Sequence, residues 1–137
     1  MGEVLRILIA DDDMDICRIW RNEIEKFFDK SGQKVEVFEA YDGDSAWNMF
    51  IEVKPDLVIL DVMMPGLDGF SVFNELRKIE ETKNIPIIML TGVADKTGIK
   101  FFQKDMKNFF GDTPIEYLEK PLNPEKLKSV VMNIFNN

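Results

Sequence analysis

The sequence predicts an α/β domain in which a parallel β-sheet carries helices on both faces. Short, strongly apolar runs alternate with longer stretches of helical period, and five such cycles follow one another. The length of 137 residues, with 45% hydrophobic residues, also suits one compact domain. We therefore expect residues 1–137 to form a single domain.

The first cycle begins with residues 4–10, which are aliphatic or small apart from Arg6 and stop at three aspartates. Such a run is typical of a central strand that is buried on both faces. Apolar side chains then recur at helical spacing, which predicts a long amphipathic helix. We expect Asp13 to cap this helix and Gly32 to end it in a left-handed conformation.

The second cycle predicts the edge of the sheet. Residues 35–39 alternate apolar and polar side chains, which indicates a strand more exposed than the first. Asp42 and Gly43 predict a turn after it. An apolar stripe over residues 46–53 predicts a short helix, which ends before Pro55 because proline disfavours helix in the preceding residue.

The remaining three cycles repeat the order of strand and helix. Apolar strands are predicted at residues 57–60, 85–90 and 115–119, and helices at 73–79, 96–110 and 127–135. A loop over residues 63–69, rich in proline and glycine, separates the third strand from its helix.

Composition narrows the range of functions. A net charge of −8 disfavours direct binding to nucleic acid or anionic lipid. The absence of histidine excludes an imidazole base, a phosphohistidine and a His-ligated metal on this chain. Cys17, the single cysteine, is predicted to be a small buried residue and not a nucleophile. Without a signal-peptide pattern or a membrane-spanning apolar run, we expect a cytoplasmic protein that does not bind membranes.

Polar side chains follow four of the five predicted strands, at the carboxyl ends where an open parallel sheet gathers its functional groups. These residues are Asp11, Asp12 and Asp13 after the first strand, Asp61 after the third, Thr91 after the fourth and Lys120 after the fifth. Crowded carboxylates repel one another, and a divalent cation offsets this repulsion. Oxygen ligands favour Mg²⁺ over Zn²⁺, with Mn²⁺ as a substitute.

Four segments occur in a recognisable order. They are ILIADD at 7–12, LVILDVMMPGLDG at 57–69, MLTG at 89–92 and YLEKP at 117–121. Together they resemble the receiver domain of bacterial two-component response regulators, and the resemblance runs from about Val4 to the end of the sequence. It implies a flavodoxin-like, doubly wound sheet of five strands in the order 2-1-3-4-5.

The resemblance also implies a phosphoacceptor and a metal site. Asp61 would take a phosphoryl group from a phosphohistidine and become an aspartyl phosphate. Asp12 would bind Mg²⁺ directly and Asp11 largely through water. Asp61 itself and the backbone carbonyl of Met63 would complete the protein's share of the ligands.

The remaining motif residues imply a switch. Lys120 would pair with the phosphoryl oxygens, and Thr91 would donate a hydrogen bond to one of them. As Thr91 moves inward, Tyr117 would swing into the space that it leaves. The face formed by the fourth helix, the fifth strand and the fifth helix would change as a result.

These implications predict a stand-alone response regulator, because the predicted last helix ends the sequence without an output domain. We expect its phosphodonor to be a sensor histidine kinase or a histidine phosphotransfer protein, and its target to be an unidentified protein. It would be a monomer or a phosphorylation-dependent dimer. Its chemistry would be limited to its own phosphorylation and dephosphorylation, without enzymatic turnover.

Some positions depart from the family pattern. Met63 and Val93 are apolar at the two positions that tune access of water to the phosphoryl group, which predicts slow self-dephosphorylation. The segment between Thr91 and Lys120 is several residues longer than in typical receivers. Phe101 in that segment, if exposed, would indicate an apolar docking or dimer patch.

Several alternatives stay open at this point. The chain could be a phosphorelay intermediate, or a pseudo-receiver that binds partners without phosphorylation. A haloacid-dehalogenase-like phosphatase also uses a strand-ending Asp with Mg²⁺, but it needs a second Asp where Met63 stands. The three consecutive aspartates could also serve only as a helix N-cap.

Overall fold

The computed structural model describes residues 3–61, 63–64, 67–68, 75, 78, 85–91, 115–119 and 123–135, of which 63–64, 67–68, 91, 115–117 and 119 by their backbone. Five strands form its main sheet: β1 Leu5–Ala10, β2 Val35–Ala40, β3 Leu57–Asp61, β4 Ile87–Thr91 and β5 Ile115–Glu119. They are parallel and lie in the order β2-β1-β3-β4-β5. The predicted fold class and strand order are confirmed.

Helices cover both faces of this sheet. The described helices are α1 Met14–Ser31, α2 Gly43–Val53 and α3 Pro124–Phe135, the last being the predicted fifth helix. Side chains of β1 alternate between two apolar cores, because successive residues of a strand point to opposite faces. Leu8 packs in the core that contains Phe50 of α2, whereas Ile7 packs in the core that contains residues of α1 and α3.

Helix α1 has the boundaries that its capping residues predict. The Asp13 side chain accepts hydrogen bonds from the backbone N–H groups of Asp15 and Ile16, at 2.9 and 3.2 Å. Gly32 ends the helix at φ 80°, a left-handed conformation that glycine adopts without steric cost. Local chemistry therefore determines where this helix begins and ends.

Helix α2 begins earlier than predicted. Asp42 is its N-cap and accepts a 2.7 Å hydrogen bond from the Ser45 N–H, while Gly43 is the first helical residue. The turn predicted at these two residues is therefore a helix start, because an Asp side chain serves both structures. At the other end the helix stops at Val53, as predicted, and Lys54 takes a left-handed conformation with φ 53°.

The later elements differ from prediction at their boundaries. Strand β4 begins at Ile87 rather than at residue 85, since Pro86 has no N–H to donate to a ladder. Within the predicted loop 63–69, Met63–Met64 and Leu67–Asp68 form a short antiparallel pair. Strand β5 has the predicted bounds.

The predicted third and fourth helices lie largely outside the described residues. Glu75 and Lys78, which belong to the predicted third helix, are helical and form an ion pair at 3.4 Å. In α3, by contrast, Leu127, Val130 and Val131 are buried, as their helical spacing predicts.

One side of α2 is buried and the other is exposed. Substitutions of two neighbouring residues should therefore change the free energy of unfolding by very different amounts. Phe50 is fully buried, and Ile51 is 44% exposed. We expect Phe50→Ala to lower the free energy of unfolding by about 3–5 kcal/mol through loss of packing. The matched variant Ile51→Ala should lower it by less than about 1 kcal/mol. Urea denaturation measures both values, and equal losses would contradict the assigned helix orientation.

Candidate functional site

Three carboxylates meet at the carboxyl edge of the sheet. Strands β1 and β3 are neighbours, with Ala10 opposite Leu60, so that Asp11 and Asp61 occupy equivalent positions at adjacent strand ends. Ligand oxygens of Asp11, Asp12 and Asp61 all lie within 4.8 Å of one another. The structure therefore brings together three residues that the sequence analysis selected.

The three carboxylates differ in burial. Asp11 is fully buried and Asp61 is 5% exposed, whereas Asp12 is exposed. Like charges at this distance and depth repel strongly, because the low local dielectric screens them little. A hard divalent cation bound by carboxylate oxygens would offset the repulsion, and the donor set fits Mg²⁺. The exposed Asp12 leaves the cluster accessible from one side.

Backbone hydrogen bonds hold Asp11 in place. Its own N–H donates to the Ala40 carbonyl at 3.0 Å, which joins the carboxyl ends of β1 and β2. Its Oδ1 accepts from the Asp13 N–H at 3.0 Å. The chain segment that leads from β1 into α1 therefore helps to orient this carboxylate.

Asp13 has a separate role from the other two aspartates. Its side chain caps α1, which explains one residue of the Asp11–Asp13 triplet by helix formation alone. Asp11 and Asp12 do not cap the helix and lie in the carboxylate cluster instead. An N-cap therefore does not account for the whole triplet.

Cys17 is a buried thiol that contacts the backbone of Asp11. It is fully buried, and its Sγ donates to the Asp11 carbonyl at 3.4 Å. Burial, followed by the negative charges of Asp11 and Glu39, raises the pKa of Cys17 to about 12. The thiolate is the reactive form, so this environment makes the residue inert. The prediction of a small buried residue is confirmed.

Three other predicted site residues are described by their backbone only. Thr91 ends β4 next to β3, with its backbone paired to that of Glu119. The backbone of Tyr117 lies in β5 opposite Met89. Met63 is in the short antiparallel pair, opposite Asp68. Their roles stay predictions.

Three further predictions concern residues that the structure does not describe. Lys120, Val93 and Phe101 lie outside the described residues. The predicted salt-bridging lysine, the second water-access position and the apolar patch therefore stay predictions.

One polar cluster near the site was missed by the sequence analysis. Arg21 of α1 pairs with Glu39 of β2, with Nη1 and Oε2 2.6 Å apart, and the Tyr41 hydroxyl donates to Glu39 Oε1 at 3.0 Å. Burial and this hydrogen bond raise the pKa of Tyr41. The only sequence signal was the alternation of residues 35–39, which places Glu39 on the same side of the strand as Val37.

A doubly wound parallel sheet with carboxylates at its carboxyl edge is the geometry of a domain that binds a divalent cation and a charged ligand at the strand ends. The family model for the response regulator receiver domain matches residues 7–132. The chain belongs to this family, as the ordered motifs predicted. Members are signalling proteins of two-component systems, are phosphorylated by histidine kinases and bind Mg²⁺ at an acidic pocket. They are not turnover enzymes, which removes the phosphatase alternative.

Known proteins of the family are similar over nearly the whole chain. A receiver domain of a DNA-binding response regulator from Colwellia psychrerythraea is 27% identical, with a TM-score of 0.79, over 97% of this chain and 99% of that one. The chemotaxis response regulator CheY4 of Vibrio cholerae is 26% identical, with a TM-score of 0.70, over 97% of this chain and 100% of that one.

Curated relatives match over only part of their own length. The protein named "Probable transcriptional regulator ycf27" from Cyanophora paradoxa is 37% identical over 133 residues, which are 94% of this chain and 47% of that protein. The chain spans about half the length of the curated relatives that it matches. Among the described residues, no helix is long and apolar enough to cross a membrane.

The carboxylate cluster predicts that removal of one charge and binding of a metal ion each stabilise the fold. Without divalent cations, Asp61→Asn should raise the free energy of unfolding by about 1–3 kcal/mol, since one repelling charge is removed. At Mg²⁺ about 100 times above its dissociation constant, the wild type should gain about 2.7 kcal/mol. Thermal unfolding with and without Mg²⁺ measures both effects.

Asp29→Asn is the matched control, because Asp29 is an exposed acid at the far end of α1. We expect this variant to respond to Mg²⁺ as the wild type does. If Mg²⁺ stabilised Asp61→Asn as much as the wild type, the cation would not be bound by this cluster.

Proposed function

We propose that this chain accepts a phosphoryl group on Asp61 from a sensor histidine kinase or a histidine phosphotransfer protein. The observation that carries the proposal is the convergence of Asp11, Asp12 and Asp61 within 4.8 Å at the edge of a receiver fold. Of the three, Asp61 ends the strand in the middle of the sheet, and its side chain is 5% exposed. A carboxylate at this strand end would act as the nucleophile.

In the proposed reaction a carboxylate oxygen of Asp61 attacks phosphorus. The bond between phosphorus and the donor imidazole nitrogen breaks, its electron pair stays on that nitrogen, and an aspartyl phosphate forms. Asp12, Asp11 through water, Asp61 and the Met63 carbonyl would hold Mg²⁺, with Mn²⁺ as a substitute. The cation would supply charge neutralisation at the phosphoryl oxygens.

Two residues would bind and stabilise the new phosphoryl group. Lys120 would pair with its oxygens, and the Thr91 hydroxyl would donate a hydrogen bond to one of them. The position of Thr91 at the end of β4, next to β3, supports this role. Tyr117 in β5 would follow Thr91, and the surface around β5 would change between two states.

We further propose that the chain acts as a stand-alone receiver whose target is a protein. The similarity to a chemotaxis response regulator, at 26% identity, supports a signalling role of this kind. The net charge of −8 supports a protein target over direct contact between these residues and nucleic acid. A phosphorelay intermediate would use the same chemistry and differs only in passing the phosphoryl group on.

The first test is phosphorylation by a small donor. With acetyl phosphate and Mg²⁺, intact-protein mass spectrometry should show one phosphoryl adduct on the wild type. We expect no adduct on Asp61→Asn and a strongly reduced adduct when Mg²⁺ is chelated. Circular dichroism of both proteins serves as the control for folding. A folded wild type without an adduct would favour the pseudo-receiver alternative.

The apolar residues Met63 and Val93 predict a long-lived phosphorylated form. Phosphate loss from the wild type should be about tenfold slower than from the double variant Met63→Asn, Val93→Glu, a barrier difference of about 1.4 kcal/mol. Polar side chains at these positions would admit and orient the attacking water. Decay of the phosphoryl adduct with time measures both rates, and faster loss from the wild type would contradict the prediction.

A further inference from the structure

Strand β2 lies at one edge of the sheet, with β1 as its single neighbour among the described strands. Two hydrogen bonds show which backbone groups of β2 face β1. The Leu5 N–H donates to the Lys34 carbonyl and the Asp11 N–H donates to the Ala40 carbonyl, both at 3.0 Å. In a parallel ladder, alternate residues of a strand direct both backbone groups to the same side. The backbone N–H and C=O groups of the even-numbered residues of β2 therefore face β1. The backbone groups of Val35, Val37 and Glu39 face outward.

The Arg21 side chain occupies the middle of this outward edge. Its Nη2 donates to the Val37 carbonyl, and its Nη1 lies 2.6 Å from Glu39 Oε2. The Arg21 side chain is 38% exposed, whereas that of Glu39 is only 10% exposed. Its Nε is buried without a hydrogen bond within the described structure. The two contacts of the guanidinium with β2 therefore hold it against the edge.

Among the described residues, nothing covers the edge at the start of β2, on the N-terminal side of Val37. A groove of about 720 Å³ runs between the start of β2 and the second half of α1, with Val35, Glu36, Glu25 and Asp29 in its lining. The outward N–H and C=O of Val35 are at this groove. Without the Arg21 contact, the accessible edge would extend from Val35 to Glu39.

The sequence of β2 is compatible with pairing to itself. In an antiparallel pair of two β2 strands centred on Val37, each Val37 would exchange two hydrogen bonds with its copy. Val35 would then lie opposite Glu39, and Glu36 opposite Phe38. No acidic side chain would lie directly opposite another; the nearest acidic pair, Glu36 and its copy, would be diagonal at about 7–8 Å, so direct cross-strand charge repulsion would be weak. The acceptor at its centre is the Val37 carbonyl that Arg21 occupies.

We propose that Arg21 blocks the outer edge of β2 against pairing with β2 of a second copy of this chain. Exposed edge strands are templates for such pairing, and a charged side chain placed on the edge prevents it. The Arg21 guanidinium satisfies the central acceptor and places a cation where the second strand would have to lie. This role is independent of phosphorylation at the carboxylate cluster.

The test compares two charge-matched variants of the unphosphorylated protein. Arg21→Met keeps the aliphatic part of the side chain and removes the guanidinium, and Arg18→Met removes an exposed arginine from the same helix. Sedimentation velocity over a range of concentrations should show at least about tenfold tighter self-association for Arg21→Met than for Arg18→Met or the wild type. Hydrogen exchange should show added protection of the Val37 and Glu39 amides in the associated form.

A second change separates edge pairing from other kinds of association. The N–H of Val35 faces outward, so that Val35→Pro removes an outward donor and leaves the ladder to β1 intact. The double variant Arg21→Met, Val35→Pro should therefore return to the monomeric state. Association that persists in the double variant would overturn the proposal.

Arg21→Gln is measured in parallel, in case Arg21→Met does not fold. The Gln side chain is neutral and too short to span both contacts, so we expect the same self-association. If either variant is folded by circular dichroism and as monomeric as Arg18→Met, the proposal is wrong.

Discussion

Repulsion between the carboxylates of Asp11 and Asp61 is the constraint on which the site depends. Parallel pairing of β1 with β3 brings these groups to the same edge, and burial reduces the screening of their charges. The packed strands resist the repulsion, because both β1 and β3 are surrounded by apolar side chains. The fold thus holds three carboxylates together at one edge of the sheet, the arrangement that the proposed Mg²⁺ site would require.

Helix α1 contributes to both the chemistry and the edge of the sheet. At its start, Asp13 caps the helix while its N–H holds the carboxylate of Asp11. One turn later, the inert thiol of Cys17 donates to the backbone carbonyl of Asp11. On the next turn, Arg21 reaches the outward side of β2. One amphipathic helix therefore connects the acidic cluster to the edge strand.

The local sequence predicted much of the fold, since helices and strands differ in the period of their apolar side chains. The bounds of α1 followed from Asp13 and Gly32, whose side-chain and backbone preferences act within a few residues. At Asp42 the same kind of signal was ambiguous, because an Asp that begins a turn also caps a helix. The five strand-and-helix cycles predicted a parallel sheet, and the ordered motifs identified the family.

Only the tertiary structure decided how neighbouring residues differ in environment. Asp11 and Asp12 are adjacent and chemically identical, yet Asp11 is buried and Asp12 is exposed, because the chain turns between β1 and α1. The contacts of Arg21 with β2 likewise join residues far apart in the sequence. Such contacts depend on how a helix packs on a sheet edge. The spacing of apolar side chains within one element does not specify this packing. The sequence by itself determined the elements and the chemical class of the site, and packing determined which side chains meet.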